Sequence, residues 1–400
     1  MSTPLSLRVK IAATALLFTA VGCASDKPPS PTTVSVPLPA MSSDVLEQRG
    51  TLISSNVKMD LSSAVADRVG EVRTVVYRSV SGYDGEASEV SGTMFVPPGA
   101  PPDGGWPVIS YAHATTGLTE DCGPSLSPDL LGYANALVAV VESGFAVAMT
   151  DFQGLGHAGV HPYLEPRTAA FNVIDAVRAL RETFPDVSTQ WLAVGASQGG
   201  QAAWAANEYS RDYGADLDFR GSVSLAPPAD ITGFAQAAQN QELTAAQMVF
   251  LPLIVNGLKV THPDLVEDNY VRGPAAKNMY AFMSCTASDA EKQALGSQLD
   301  SSQVTPISQE ATDQLAMWLA ENSLPQRGAS GPMLVINGSD DDLVLPEWVA
   351  AAVSRACALG DTVLHREMPG QGHADVDGGN SMYQWMIDRF TDTAAPSNCA

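Results

Sequence analysis

The segment Gly195-Ala196-Ser197-Gln198-Gly199-Gly200 constrains this chain more than any other. It follows an apolar run, Trp191-Leu192-Ala193-Val194, and precedes an alanine-rich stretch over 201–207. That order reads as strand, sharp turn, helix. A G-x-S-x-G pattern at such a turn holds a serine hydroxyl free at the tip of an elbow. Small residues flank the serine because strand and helix pass close together there. The start of the helix adds free N–H groups and the positive end of its dipole. The five-residue pattern alone is weak, because glycine is common enough for it to arise by chance. A plain glycine-rich turn is the competing reading, and partner residues must decide between them.

A serine at an elbow becomes a nucleophile only when a base takes its proton and an acid orients the base. The next strong strand, Met333-Leu334-Val335-Ile336, runs into Asn337-Gly338-Ser339-Asp340-Asp341-Asp342-Leu343-Val344. The Gly338-x-x-Asp341-x-x-Val344 spacing favours Asp341 as the acid, with Asp340 second. A solvated acidic turn is the plainer reading of any one of the three. A further strand, Thr362 to Met368, leads into Pro369-Gly370-Gln371-Gly372-His373-Ala374-Asp375. His373 follows a glycine in a loop, where a base can reach across to the serine. His365 lies within the strand pattern and is assigned to packing or solvent. The chain order Ser197, Asp341, His373 is that of the α/β-hydrolases.

Acyl chemistry at such a serine also needs two N–H donors for the developing oxyanion. The first expected donor is the backbone of Gln198. The second should come from the loop after an early strand, here Trp106 to Tyr111 followed by Ala112-His113-Ala114-Thr115-Thr116-Gly117. Thr115 is the expected donor and Ala114 the next choice. His113 is expected to hold the loop by hydrogen bonds.

These segments, with Asp121-Cys122-Gly123-Pro124-Ser125, Thr150-Asp151-Phe152-Gln153-Gly154-Leu155-Gly156 and His161-Pro162-Tyr163-Leu164, resemble the secretory lipase family of the α/β-hydrolase superfamily, the group similar to yeast lipase A. The resemblance spans about residues 70–390. It implies a carboxylic ester hydrolase with a helical cap inserted in its core and no cofactor. Ala114 stands where the family usually has glycine, and Phe152 where it usually has tyrosine. Neither change removes a catalytic group, so both bear on substrate preference more than on reaction class.

Periodicity predicts the same α/β class. Residues 72–80 and 89–96 alternate as an antiparallel hairpin. Strands at 106–112, 144–151, 190–195 and 221–226 alternate with helices near 128–142, 167–183 and 199–212, which predicts a mostly parallel sheet flanked by helices. Residues 229–328 break that rhythm with helical patterns such as Ala245 to Leu258 and are expected to form the cap. The core is then 46–228 and 329–400. The apolar run Met248 to Val255 could line an acyl pocket or simply pack on the core. Gly154 and Gly156 form a G-x-G whose continuation is wrong for a dinucleotide site.

Residues 1–23 read as a signal peptide: Arg8 and Lys10 precede the apolar stretch Ile11 to Val21, which is too short to span a bilayer. Ala20-Val21-Gly22-Cys23 resembles a lipobox, in which Cys23 becomes a lipidated N-terminus and tethers the protein to the bacterial cell envelope. Cleavage just after Cys23 or Ala24 would instead release it. A Pro/Ser/Thr-rich spacer is expected over 24–45. Cys122, Cys285, Cys357 and Cys399 allow three pairings; Cys122–Cys285 and Cys357–Cys399 are favoured in an oxidising compartment. No C-x-x-C pair suggests a metal. A net charge of −23 argues against nucleic acid and anionic membrane surfaces as partners. The expected substrate is therefore a small-molecule or lipid ester. A peptidase or acyltransferase could use the same three side chains, and a non-catalytic surface-binding lipoprotein is the reading from a different class.

Overall fold

The computed structural model describes residues 36–399. The signal peptide, Cys23 and most of the expected spacer lie outside the described residues. The spacer's last ten positions do not stand off from the body. Leu38, Met41 and Val45 pack against the core, because apolar side chains at those positions have a surface to cover. Helix α1 (Ser43–Gln48) already begins there.

The strands are β1 (Leu52–Val57), β2 (Glu71–Val80), β3 (Ala87–Val96), β4 (Trp106–Ala112), β5 (Ala146–Thr150), β6 (Val187–Ala196), β7 (Asp218–Leu225), β8 (Met333–Gly338) and β9 (Val363–Met368). They form one sheet in the order β1-β2-β3-β5-β4-β6-β7-β8-β9. The pairs from β1 to β3, and β3 with β5, are antiparallel; every later pair is parallel. The edge strand β1, Leu-Ile-Ser-Ser-Asn-Val, was not expected; three polar residues in six hide its alternation.

The helices after α1 are α2 (Ser63–Ala66), α3 (Ala134–Glu142), α4 (Pro166–Thr183), α5 (Gln198–Ser210), α6 (Gly233–Gln239), α7 (Ala245–Thr261), α8 (Gly273–Lys277), α9 (Met279–Met283), α10 (Asp289–Gly296), α11 (Gln309–Glu321), α12 (Pro346–Ala358) and α13 (Gly379–Arg389). The helix expected from 128 starts only at Ala134. Leu130, Leu131 and Gly132 have φ of 56°, 52° and 94°, which a right-handed helix cannot include. Six helices, α6 to α11, lie between β7 and β8.

Alternation along the central strands sends side chains to two apolar layers. Trp191 and Ala193 of β6 join the layer holding α4, α5 and α12, while Leu192 and Val194 join the layer holding α3 and α13. Met333 and Val335 of β8 divide from Leu334 and Ile336 in the same way. The topology reverses at β4 and β6: β5 lies to one side of β4 and β6 to the other. Loops leaving the carboxyl ends of these two neighbours therefore open a crevice between them.

Two disulfides join Cys122 to Cys285 and Cys357 to Cys399, each with Cα atoms 5.3 Å apart. The first ties the loop after β4 to the segment after α9, alongside a backbone hydrogen bond from Leu118 N–H to the Met283 carbonyl at 2.8 Å. It closes a separation of 163 residues. Long loops lose much unfolded-state entropy on closure, so the Cys122→Ala/Cys285→Ala double variant should lose about 2–5 kcal/mol of stability. Urea unfolding under non-reducing conditions checks this. An unchanged midpoint would show that the bond carries no load.

Candidate active site

The elbow forms because two backbones touch. A Cβ on Gly199 would lie well inside contact distance of the Ala112 carbonyl, and one on Gly195 would collide with the Gly199 carbonyl. Glycine alone lets β4, β6 and α5 pack this closely. Ser197 takes up the turn with φ 52° and ψ −121°, strained for a residue with a side chain. Its N–H is held by the Leu225 carbonyl at 2.8 Å. The side chain stands at the N-terminus of α5, a 13-residue helix that is buried along its whole length.

Loops that follow β8 and β9 meet the serine. His373 Nε2 lies 2.8 Å from Ser197 Oγ, and its Nδ1 lies 2.8 Å from Asp341 Oδ2. The other oxygen of Asp341 accepts the N–H groups of Leu343 at 3.0 Å and Val344 at 2.8 Å. Asp341 is buried, whereas Asp340 and Asp342 are exposed. The fold thus separates three adjacent aspartates that composition leaves equivalent. A Cβ on Gly338 would strike the Gln371 carbonyl, so the acid loop and the histidine loop also pack backbone to backbone. Gly370 N–H donates to Ser339 Oγ at 2.8 Å and Gly372 N–H to Asp375 Oδ1 at 2.6 Å, which fixes the histidine loop from both sides.

The loop after β4 is held by buried polar contacts. His113 is fully buried, with Nδ1 2.7 Å from the Ala114 carbonyl and Nε2 3.2 Å from that of Asp151. Burial pushes its pKa down. Asp151 is also fully buried and accepts Ser91 Oγ–H, Ser125 Oγ–H and the Ser125 N–H at 3.0 Å. Burial pushes its carboxyl up and these donors oppose the shift. Ala114 N–H donates to the Tyr133 hydroxyl at 3.0 Å, so it is engaged. Among the described residues, no acceptor takes the N–H of Thr115 or of Gln198. Both candidate oxyanion donors are therefore available for a ligand. The Thr115 hydroxyl lies 2.8 Å from the Tyr163 hydroxyl.

His161 was not expected in this site, although its segment carries part of the family resemblance. Its Nδ1–H donates to the Gln153 carbonyl at 2.9 Å, and its Nε2 lies 2.8 Å from Gln198 Nε2, which donates to it. The ring is neutral: burial lowers its pKa to about 4. A neutral imidazole thus anchors the side chain of the residue after the serine. Nothing in the sequence pattern pairs positions 161 and 198. His365, assigned to packing, sits on β9 with Nε2 2.6 Å from Asn337 Oδ1. The described residues hold one cluster of metal-ligating type, Asp121, Cys122 and Cys285. Two of its three members are the disulfide sulfurs.

A narrow cavity of about 20 Å³ lies beside Ser197, lined by Tyr163, Leu164, Leu343, Val344 and apolar residues of the helical insertion. Phe250 and Ile254 of α7 face into it, while Leu251, Leu253 and Val255 are buried in the core. The apolar run of α7 thus divides between this cavity and the core. Among the described residues, no helix is long and apolar enough to cross a membrane.

The sequence model of the family described as Secretory lipase matches residues 132–398. A probable inactive lipase of Mycobacterium tuberculosis (strain CDC 1551 / Oshkosh) is 25% identical over 338 residues, covering 79% of this chain and 73% of the relative. Candida antarctica lipase A in its closed state superposes with a TM-score of 0.70 at 16% identity, over 92% of this chain and 89% of that one. The rice cell wall degrading esterase LipA from Xanthomonas oryzae gives 0.65 at 19%, over 86% and 97%. At these identities the two structures establish the α/β-hydrolase fold.

The His161 contact has a pH signature. The unfolded chain takes up a proton on His161 near the ordinary value of 6.5, and the folded chain only near 4. This contribution is complete above pH 6.5 and is lost as pH falls toward 4. His161→Gln can still accept from Gln198 and donate to Gln153 but does not titrate. Its Tm should therefore fall less than that of the parent between pH 6.5 and 4. Parallel Tm curves would refute the assignment.

Proposed function

Because this chain belongs to the secretory lipase family, we propose that it is an exported serine hydrolase that cleaves carboxylic esters through an acyl-enzyme. One observation carries the reading: Ser197 Oγ, the His373 ring and the Asp341 carboxylate form a continuous hydrogen-bonded line with 2.8 Å contacts on both sides of the imidazole. His373 takes the serine proton through Nε2 as Oγ attacks the ester carbonyl. Asp341 keeps Nδ1 protonated and stabilises the imidazolium that results. The N–H groups of Gln198 and Thr115 receive the oxyanion, aided by the α5 dipole. His373 Nε2–H then protonates the departing alcohol. Water repeats the cycle on the acyl-Ser197 ester and regenerates the serine. None of these steps draws on a metal or an organic cofactor.

Two disulfides favour an oxidising compartment. With the leader pattern of residues 1–23 they support export, and Cys23 supplies a lipid tether to the cell envelope. The same three side chains would serve a peptidase or an acyltransferase, because the triad sets the intermediate and not the acceptor. The relative described as a probable inactive lipase raises the non-catalytic alternative, and the complete line of contacts at Ser197 favours catalysis in this chain.

Ser197→Ala should lower p-nitrophenyl ester hydrolysis by about 10⁴-fold or more, and Asp341→Asn by about 10⁴-fold. A fluorophosphonate should label the parent at Ser197 and leave Ser197→Ala unlabelled. Failure to label the folded parent would favour a binding role. Turnover of peptides in place of esters would favour the peptidase.

A further inference from the structure

Gln198, the residue after the serine, carries an inference about positioning, which rests on the hydrolase reading above. In that reading its N–H receives the oxyanion, so the peptide between Ser197 and Gln198 must keep one orientation. Ser197 takes φ 52° there, a strained value that rotation of the adjoining peptides would relieve. The serine N–H donates to the Leu225 carbonyl at 2.8 Å, and the serine carbonyl accepts the Gln201 N–H at 3.0 Å. The second of these bonds holds the carbonyl end of the Ser197–Gln198 peptide. The other end is held through the Gln198 side chain, whose Nε2–H donates to His161 Nε2 at 2.8 Å.

The chemistry of the ring settles the direction of that last bond. His161 Nδ1 lies 2.9 Å from the Gln153 carbonyl, which can only accept, so Nδ1 carries the proton. Burial keeps the ring neutral, which leaves Nε2 an acceptor. Gln198 must therefore turn its NH2 group toward the ring. Its Oε1 is buried and takes no donor among the described residues, so the polar end of the side chain hangs on His161. Without the imidazole, a side chain only 2% exposed would keep no hydrogen bond, a cost that drives it to another place. His161 is itself held firmly. It is 5% exposed, and the rings of Phe152 and Tyr163 lie 6.2 and 6.1 Å from its own. Its loop folds back on itself at Gly154, which has φ 78° and where a Cβ would collide with the backbone of Val160 and His161. The loop after β5 thus delivers the imidazole to the start of α5 at a fixed place.

We propose that His161 is a positioning residue for ester hydrolysis: by holding the Gln198 side chain it aims the Gln198 N–H at the oxyanion. It acts on the reaction through Gln198 and is absent from the lining of the cavity beside Ser197. The oxyanion exists only once the carbonyl has been attacked, so the loss of His161 should fall on kcat and leave substrate binding in place.

The test measures p-nitrophenyl butyrate hydrolysis by the full chain, with rates expressed per serine titrated by a fluorophosphonate. That normalisation removes any loss of folded protein. His161→Ala should lower kcat by about 10- to 100-fold and leave KM within about twofold, because small misplacements of a catalytic group are costly. His161→Gln, which can accept from Gln198 and donate to Gln153, should restore most of the loss. Gln198→Met keeps the backbone N–H and fills the same space but cannot donate to His161. It should lose as much as His161→Ala, and the double variant should lose no more than either single one. Should His161→Ala fail to fold, Gln198→Met alone carries the test. Full kcat per titrated serine in the folded variants, a loss confined to KM, or losses that multiply in the double variant overturn the positioning role. A folded parent that hydrolyses no ester and takes no fluorophosphonate overturns the hydrolase reading itself.

Discussion

The contact between the Ala112 carbonyl and the turn at Gly195 and Gly199 is what the rest of the site depends on. With no Cβ at either position, α5 starts directly against the end of β4. This closeness has three consequences. Ser197 is forced into a left-handed conformation that lifts its hydroxyl out of the turn. Among the described residues, no acceptor takes the first N–H of α5. The start of the loop after β4 lies against the turn because β4 and β6 are neighbours in the sheet. A side chain at either glycine would separate these elements and dissolve all three arrangements together.

Around that contact the loops are fixed by buried polar groups instead of by regular structure. Asp151, His113, Tyr133, Tyr163 and His161 are each largely or fully withdrawn from water, and each has a polar partner on a neighbouring loop. Such groups are costly to bury unpaired and specific in direction when paired. They therefore favour one loop arrangement over its alternatives. The helical insertion joins the same scheme. Its α7 is bonded to the acid loop, and Cys285 at its far side is bonded to the loop after β4. The helical insertion, the loop of Asp341 and the loop after β4 are thus parts of one connected frame.

Much of this was legible in the chain. The alternation of strands and helices, the elbow at Ser197, the later positions of Asp341 and His373 and the insertion before β8 all follow from local pattern, because strand and helix periods and tight turns are short-range properties. What stayed hidden were facts about neighbours in space. Spacing favoured Asp341 over its neighbours, but only the turn through Leu343 and Val344 buries that carboxylate and leaves Asp340 and Asp342 exposed. The polar strand β1 reads as loop until β2 offers it an edge. Positions 36–45 read as spacer until a core surface exists for Leu38 and Met41 to cover.

The sequence by itself determined the type of fold and the candidate set Ser197, Asp341 and His373, since both depend on residue type and on spacing along the chain. Only the tertiary structure decided that His161 anchors Gln198, that Ala114 gives its N–H to Tyr133, and that Phe234 and Ile254 come to line a cavity beside the serine. Each of these is a contact between segments distant along the chain, and its geometry is set by how helices and loops pack over one sheet.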